Sequence, residues 1–127
     1  MPDFYVPNWK EHLVPPETVL NHIKPGMSVF IGTGPAAPRT LIRALLDVDS
    51  HNIRDLELVQ LAVQGDTILS VDPLNAPNYR LQTFFSGFVA WDTIATGQVD
   101  LVPAYYSEIP EVIKSGKVDI DVAFIQI

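Results

Sequence analysis

The chain has 127 residues, 47% apolar and 18% charged, with eight Lys and Arg against fifteen Asp and Glu for a formal net charge of −7. That length suits one domain, and that apolar fraction supports a packed core over wholesale disorder. The acidic balance, with no basic run, excludes nucleic-acid binding driven by counterion release, and the absence of cysteine excludes a disulfide framework and thiolate metal sites. The low charge content predicts that part of the surface is covered by something else. Met1-Pro2-Asp3-Phe4-Tyr5-Val6-Pro7 has no basic n-region and no long apolar run, so no signal peptide is expected. No stretch approaches the ~18–20 apolar residues of a membrane span. The expectation is a soluble, cytoplasmic α/β domain.

Residues 1–15 read as an irregular arm, because Pro2, Pro7, Pro15 and Pro16 interrupt helix while Phe4, Tyr5, Val6 and Trp9 offer apolar surface. A short helix is predicted over 17–22, with Val19, Leu20 and Ile23 on one face. Lys24-Pro25-Gly26-Met27 predicts a type II turn, with φ fixed at Pro25 and positive at Gly26. Residues 28–31 predict a buried strand, broken by Gly32-Thr33-Gly34-Pro35-Ala36-Ala37. Pro38 suits the first turn of a helix, and Leu41, Ile42, Leu45 and Leu46 form its apolar stripe, which ends near 47–50.

Further strands are predicted over 56–61, 80–85, 100–103 and 121–127, the last being central-looking. An excursion loop spans 65–78. A helix is predicted over 88–96 with Gly97 as its C′ residue, and another over 109–115 capped by Ser107 and closed by Gly116. Strand, loop and helix recur in that order. This predicts an open, mostly parallel sheet with helices on both faces, and the apolar run Val122-Ala123-Phe124-Ile125 fits burial on both sides. Ligands of such sheets sit outside the carboxyl ends of the strands. The chain stops at that end of its last strand, so it is expected to be a piece of a longer protein.

Three loops at that end are candidate sites. Gly32 to Pro38 joins a strand to a helix, where free amides favour anions and glycines allow close approach. Its spacing fits a relaxed dinucleotide fingerprint, yet Pro35 and Pro38 remove N–H groups and the second strand's end, Leu61-Ala62-Val63-Gln64, carries no acid. A tight turn without ligand explains it as well. Phe84-Phe85-Ser86-Gly87-Phe88 is a second junction, also explained by aromatic packing and a helix cap. The third is Pro103-Ala104-Tyr105-Tyr106-Ser107-Glu108. There Glu108 fits a helix-dipole partner better than a general base. His12, His22 and His51 lack metal-ligand spacing and read as surface histidines.

Together the phrases Ile23-Lys24-Pro25-Gly26-Met27-Ser28-Val29 with Gly32-Thr33-Gly34-Pro35 and Pro38, then Phe84-Phe85-Ser86-Gly87, Gly97-x-x-Asp100-x-x-Pro103, Ser107-Glu108-Ile109-Pro110 and the closing residues 118–126 are distinctive. In this order they resemble the N-terminal domain of the acetyl-CoA hydrolase/transferase family, over about residues 15–127, the domain itself being expected over 16–127. The resemblance implies two similar α/β domains with an active site in the cleft between them. It implies a glutamate that attacks an acyl-CoA thioester and passes through an acyl-glutamyl anhydride and a glutamyl-CoA thioester. Such catalysis splits one difficult transfer into easier steps, with backbone N–H groups stabilising the oxyanion.

The family's nucleophilic glutamate sits in the C-terminal domain, and Glu11, Glu17, Glu57, Glu108 and Glu111 do not match it. No catalytic residue is therefore expected in this chain, and the chain alone is expected to be inactive. The resemblance places Gly32, Thr33, Gly34, Pro35, Pro38, Ser86, Gly87, Pro103 and Tyr105 around the substrate and CoA pocket. It implies acyl-CoA and a small carboxylate as partners, a coenzyme A thioester as substrate, no permanently bound cofactor and the missing C-terminal domain; no metal is expected from the histidine spacing, and the apolar last strand, lacking cover on one side, predicts a homo-oligomer. Many members carry a longer glycine-rich or His-Ala phrase where this chain has residues 33–37, which leaves acyl specificity and the choice of transferase or hydrolase open. Residues 29–34 also resemble longer members fused to an acetyltransferase domain. Two other readings remain: a nucleotide-binding module, and a non-catalytic subunit whose sheet edge pairs with a partner.

Overall fold

A computed structural model describes residues 8–47, 55–62, 79–85, 94–95, 97 and 99–127. The predicted loop over 65–78, most of the arm, the Ser86-Gly87 junction and most of the predicted helix over 88–96 lie outside these residues. Five parallel strands form one sheet: β1 (Ser28–Ile31), β2 (Leu56–Ala62), β3 (Tyr79–Phe85), β4 (Val99–Leu101) and β5 (Val122–Phe124). Their order is β4-β3-β2-β1-β5. The chain steps outward from β1 to β4, then returns to the other side of β1, so the order reverses between β1 and β5.

Helices lie on both faces of the sheet, but the expected two-sided burial of Val122-Ala123-Phe124-Ile125 is corrected: only Phe124 is buried there, while Ala123 and Ile125 are exposed. On one face α1 (Pro16–Leu20) and α2 (Arg39–Leu46) bring Leu20, Ile42 and Leu45, with Ile23, onto Val29, Ile31, Leu56, Leu58, Leu81, Val99 and Phe124. The stripe of α2 works as its spacing implies: Ile42 and Leu45 are buried, while Leu41 and Leu46 flank them. On the other face Ile109 of α3 (Ile109–Lys114) and Val118 pack on Val59 and Phe84. Among the described residues no helix is long and apolar enough to cross a membrane.

The turn before β1 forms as predicted, with Gly26 at φ +84° and the Met27 N–H donating to the Lys24 carbonyl at 3.2 Å. Gly97 (φ +76°) donates its N–H to the Ile94 carbonyl at 3.0 Å, as a C′ glycine does. Gly116 (φ +75°) follows α3 in the same way.

Four local expectations are corrected. The first helix stops at Leu20, because the His22 and Ile23 amides bond to Val19 and Leu20 in tighter i−3 turns. Pro38 caps α2 from outside instead of entering its first turn, because a 3₁₀ turn over Gly34–Ala36 takes up the preceding residues. Ser107 is not the cap of α3. It lies inside a 3₁₀ turn (Tyr106–Glu108), where the Tyr105 N–H donates to the Glu108 carboxylate at 3.2 Å.

The fourth concerns the last strand, which is three residues long and, among the described residues, pairs with β1 alone. Asp121 fixes its start, accepting the Ser28 N–H on Oδ2 at 2.8 Å and donating its own N–H to the Ser28 carbonyl at 2.9 Å. Its end is fixed by β1. The Gly32 N–H reaches the Phe124 carbonyl at 2.9 Å, and there β1 turns out of the sheet.

Candidate functional site

The carboxyl ends of β1 and β5 meet at the reversal of strand order. Open α/β sheets bind ligands at such a switch point, because the loops on either side diverge and leave a crevice. A groove of about 380 Å³ lies there, lined by Pro38, Arg39, Thr40 and Leu41 on one side and Ile125, Gln126 and Ile127 on the other. Helix geometry leaves the first-turn amides of α2 without intrahelical acceptors. These amides and the Arg39 guanidinium give the groove a positive wall in an acidic chain, which suits an anionic group.

Of the Gly32–Pro38 loop only Pro38 lines this groove, and the loop's two glycines serve different ends. A Cβ on Gly32 would stand 2.9 Å from the Ala36 carbonyl oxygen and 3.5 Å from that of Phe124. Protein backbone therefore fills that space, so local packing requires glycine there regardless of any ligand. Gly34 stands at φ +64°, where an L side chain is disfavoured, and its carbonyl accepts the Ala37 N–H at 3.1 Å. Thr33 is half-buried, Pro35 is exposed and Pro38 is buried behind Gly32.

Pro103 and Tyr105 lie elsewhere on the same rim. They follow β4, three strand spacings from β1, or about 14 Å. A small carboxylate cannot touch both loops, whereas an extended ligand can. Tyr105 is exposed, and Tyr106 stacks on Phe85 with ring centroids 6.3 Å apart and an interplanar angle of 16°. That stack ties the loop after β4 to the end of β3, next to Ser86 and Gly87, which themselves lie outside the described residues. Glu108 accepts a backbone amide, as a dipole partner does. His12 sits in a 3₁₀ turn and His22 after α1, while His51 lies outside the described residues. Among the described residues no group of three or more His, Asp or Glu could hold a metal ion.

Two buried polar residues were not singled out by the sequence. Gln60 on β2 and Thr83 on β3 are paired in register, both at the carboxyl-terminal half of the sheet. Among the described residues Gln60 Oε1, like Gln82 Oε1, has no hydrogen-bond partner. A buried acceptor left unmatched costs about 1–3 kcal/mol, so such a group in a native site calls for a reason. The available signal was a polar residue inside the apolar strand Leu58-Val59-Gln60-Leu61, but its partners depend on strand register, which is not written in one sequence.

A second groove of about 280 Å³ is almost wholly apolar and lies by α1 and Val122, at the amino end of β5. It is separate from the rim that gathers the loops.

Residues 4–127 match the family model of the acetyl-CoA hydrolase/transferase N-terminal domain. The chain is 32% identical over 108 residues to a succinyl-CoA:acetate/propanoyl-CoA:succinate CoA transferase of Fasciola hepatica, covering 83% of this chain and 22% of that protein. It is 26% identical over 119 residues to a 4-hydroxybutyrate coenzyme A transferase of Clostridium kluyveri, covering 94% of this chain and 27% of that protein. The chain thus spans about a quarter of the length of these curated relatives. Its fold is similar to that of RipA from Yersinia pestis, with a TM-score of 0.75 at 23% identity over 91% of this chain and 29% of that one. With a five-stranded parallel sheet, helices on both faces and a family match along nearly its whole length, the chain belongs to the acetyl-CoA hydrolase/transferase N-terminal domain family.

Proposed function

We propose that this chain is the N-terminal part of an acyl-CoA:carboxylate CoA-transferase or acetyl-CoA hydrolase, residues 16–127 being part of an α/β domain that follows an arm over 1–15. The family match over residues 4–127 carries this reading. In the reaction a glutamate carboxylate outside this chain attacks the thioester carbonyl. The C–S bond breaks, CoA leaves as its thiolate, and an acyl-glutamyl anhydride remains. The thiolate then attacks the glutamyl carbonyl, releasing the first carboxylate and leaving a glutamyl-CoA thioester. An incoming carboxylate reverses these two steps, or water releases CoA.

This domain's contribution is one wall of the pocket. Gly32, Thr33, Gly34, Pro35 and Pro38 face the cleft beside the α2 amides, which suit a carboxylate or a phosphate. Pro103 and Tyr105 extend the wall to a length that a CoA arm spans and an acid alone does not, and Ser86 and Gly87 belong to the same proposed pocket. None of these residues supplies the nucleophile, and closure against the other domain decides whether water reaches the intermediate. The enzyme works in the cytoplasm as a homo-oligomer, with coenzyme A as substrate and no resident cofactor.

The test is thioester exchange by the full-length protein. Acetyl-CoA with a small carboxylate should give ping-pong kinetics and a new acyl-CoA, or hydrolysis alone. No consumption of any short acyl-CoA overturns the reading. The isolated 127-residue chain should show no turnover.

A further inference from the structure

The loop after β4 is tied down along its backbone, yet it presents two tyrosines to solvent. The Val102 N–H donates to the Thr83 carbonyl at 2.9 Å, and Val102 and Ala104 pack, half-buried, on the cluster that holds Phe84 and Ile109. Pro103 and Tyr105 alternate with these two and are exposed, Tyr105 at 78%. The Tyr105 N–H reaches the Glu108 carboxylate at 3.2 Å, and its carbonyl accepts the Glu108 N–H at 2.8 Å. The backbone at Tyr105 is thus fixed while its ring stays in water.

Tyr106 differs in what it touches. It is 70% exposed, but its ring stacks on Phe85, the last residue of β3. Phe85 is itself held, pairing in register with Ala62 of β2 and accepting the Thr83 hydroxyl proton on its carbonyl at 2.9 Å. A single 3₁₀ turn is too short to persist on its own hydrogen bonds, so the place of Tyr106–Glu108 depends on what anchors its two ends. Buried Ile109 anchors the far end, and the stack anchors the near end. Tyr105 has no aromatic partner among the described residues. A flat ring on a fixed backbone, with its faces free, offers a large contact area to a ligand.

We propose that Tyr106 is a positioning residue for the coenzyme arm: its ring, seated on Phe85, fixes the turn that carries Tyr105, and it acts on acyl-CoA affinity through Tyr105. This rests on the CoA-transferase reading above. Without the stack the turn keeps its own hydrogen bonds but is free to leave the end of β3. Binding then bears the entropy of ordering it, and affinity falls. The ring does this and the hydroxyl does not, since stacking needs no proton donor. Tyr106 takes no part in the chemistry and does not touch the substrate.

The experiment measures kcat and KM for the short acyl-CoA that the full-length protein turns over best, in wild type, Tyr106→Ala, Tyr106→Phe, Tyr105→Ala and the double alanine variant. Tyr106→Ala should raise KM by about three- to tenfold with kcat little changed, as when binding is lost equally from ground and transition states. Tyr106→Phe should keep the wild-type KM. Tyr105→Ala should raise KM at least as far as Tyr106→Ala, and the double variant no further, because one residue acts through the other. An unchanged KM in either single alanine variant overturns the proposal. A phenylalanine variant as impaired as the alanine one also overturns it, by putting the hydroxyl on the substrate. Additive effects in the double variant do the same for the ring. A Tyr106→Ala chain that fails to fold overturns it too, by making the ring part of the fold. In each of these cases the CoA-transferase reading stands. A wild-type protein that consumes no short acyl-CoA overturns that reading and the proposal with it.

Discussion

The glycines of the β1–α2 loop separate two kinds of constraint. At Gly32 a methyl group must displace the Ala36 carbonyl, which is backbone and cannot swing aside. At Gly34 the obstacle is conformational, a positive φ. Gly32→Ala should therefore destabilise by about 1–3 kcal/mol through overpacking, and Gly34→Ala by about 1–2 kcal/mol through its left-handed backbone. Thermal unfolding of the two variants should rank them in that order. Tyr79 gives a residue-scale test in pH. Its hydroxyl donates to the Leu45 carbonyl at 3.3 Å, and burial raises its phenol pKa above the ordinary value. The unfolded chain then releases this proton first. The stability tied to Tyr79 is intact below about pH 10 and falls as pH climbs through the raised folded value. Tyr79→Phe should cost about 1 kcal/mol near neutrality and flatten the alkaline loss, as read from urea midpoints across the alkaline range.

Elements were legible where one local rule sufficed. Strand β1 matches its β-branched and aromatic run residue for residue, and α2 follows its apolar stripe. The failures come where a neighbour decides. Residues 121–127 read as a long central strand because they are apolar, yet pairing ends at Phe124 since β1 turns away at Gly32. Ser107 read as a cap by residue type, yet the Glu108 carboxylate reached the Tyr105 amide and started the turn earlier. The site splits in the same way. Loops after strands were visible as glycine and proline clusters, but that Gly32 sits beside Phe124, and that Gln60 and Thr83 share a row, depends on strand order. The helix that positions the rim depends on its stripe. Leu45 is fully buried between α2 and the sheet, so Leu45→Ala should cost about 2–5 kcal/mol by transfer and cavity terms. A Tm unchanged in that variant would show that α2 is not docked as described.

At the scale of the whole molecule, charge and shape point in opposite directions. The chain is acidic overall, with formal net charge −7, while an acyl-CoA is a polyanion. Encounter with such a substrate is unfavourable unless a local field outweighs the global one. Under the proposed function the groove at the switch point is the candidate for that local field, since Arg39 stands on the first turn of α2 and lines the groove. Exposed charge pairs fade within a Debye length of about 8 Å at physiological salt, so the effect of Arg39 must be local and salt-sensitive. Arg39→Gln in the full-length protein should raise the acyl-CoA KM by about three- to tenfold at low ionic strength, roughly the 0.7–1.4 kcal/mol of one partly screened charge contact. That gap should narrow as salt is added, with kcat little changed, because the contact is made before and during the chemistry alike. A KM indifferent to both the substitution and salt would remove the groove from the substrate's path and leave the rim between β2 and β4 as its remaining seat.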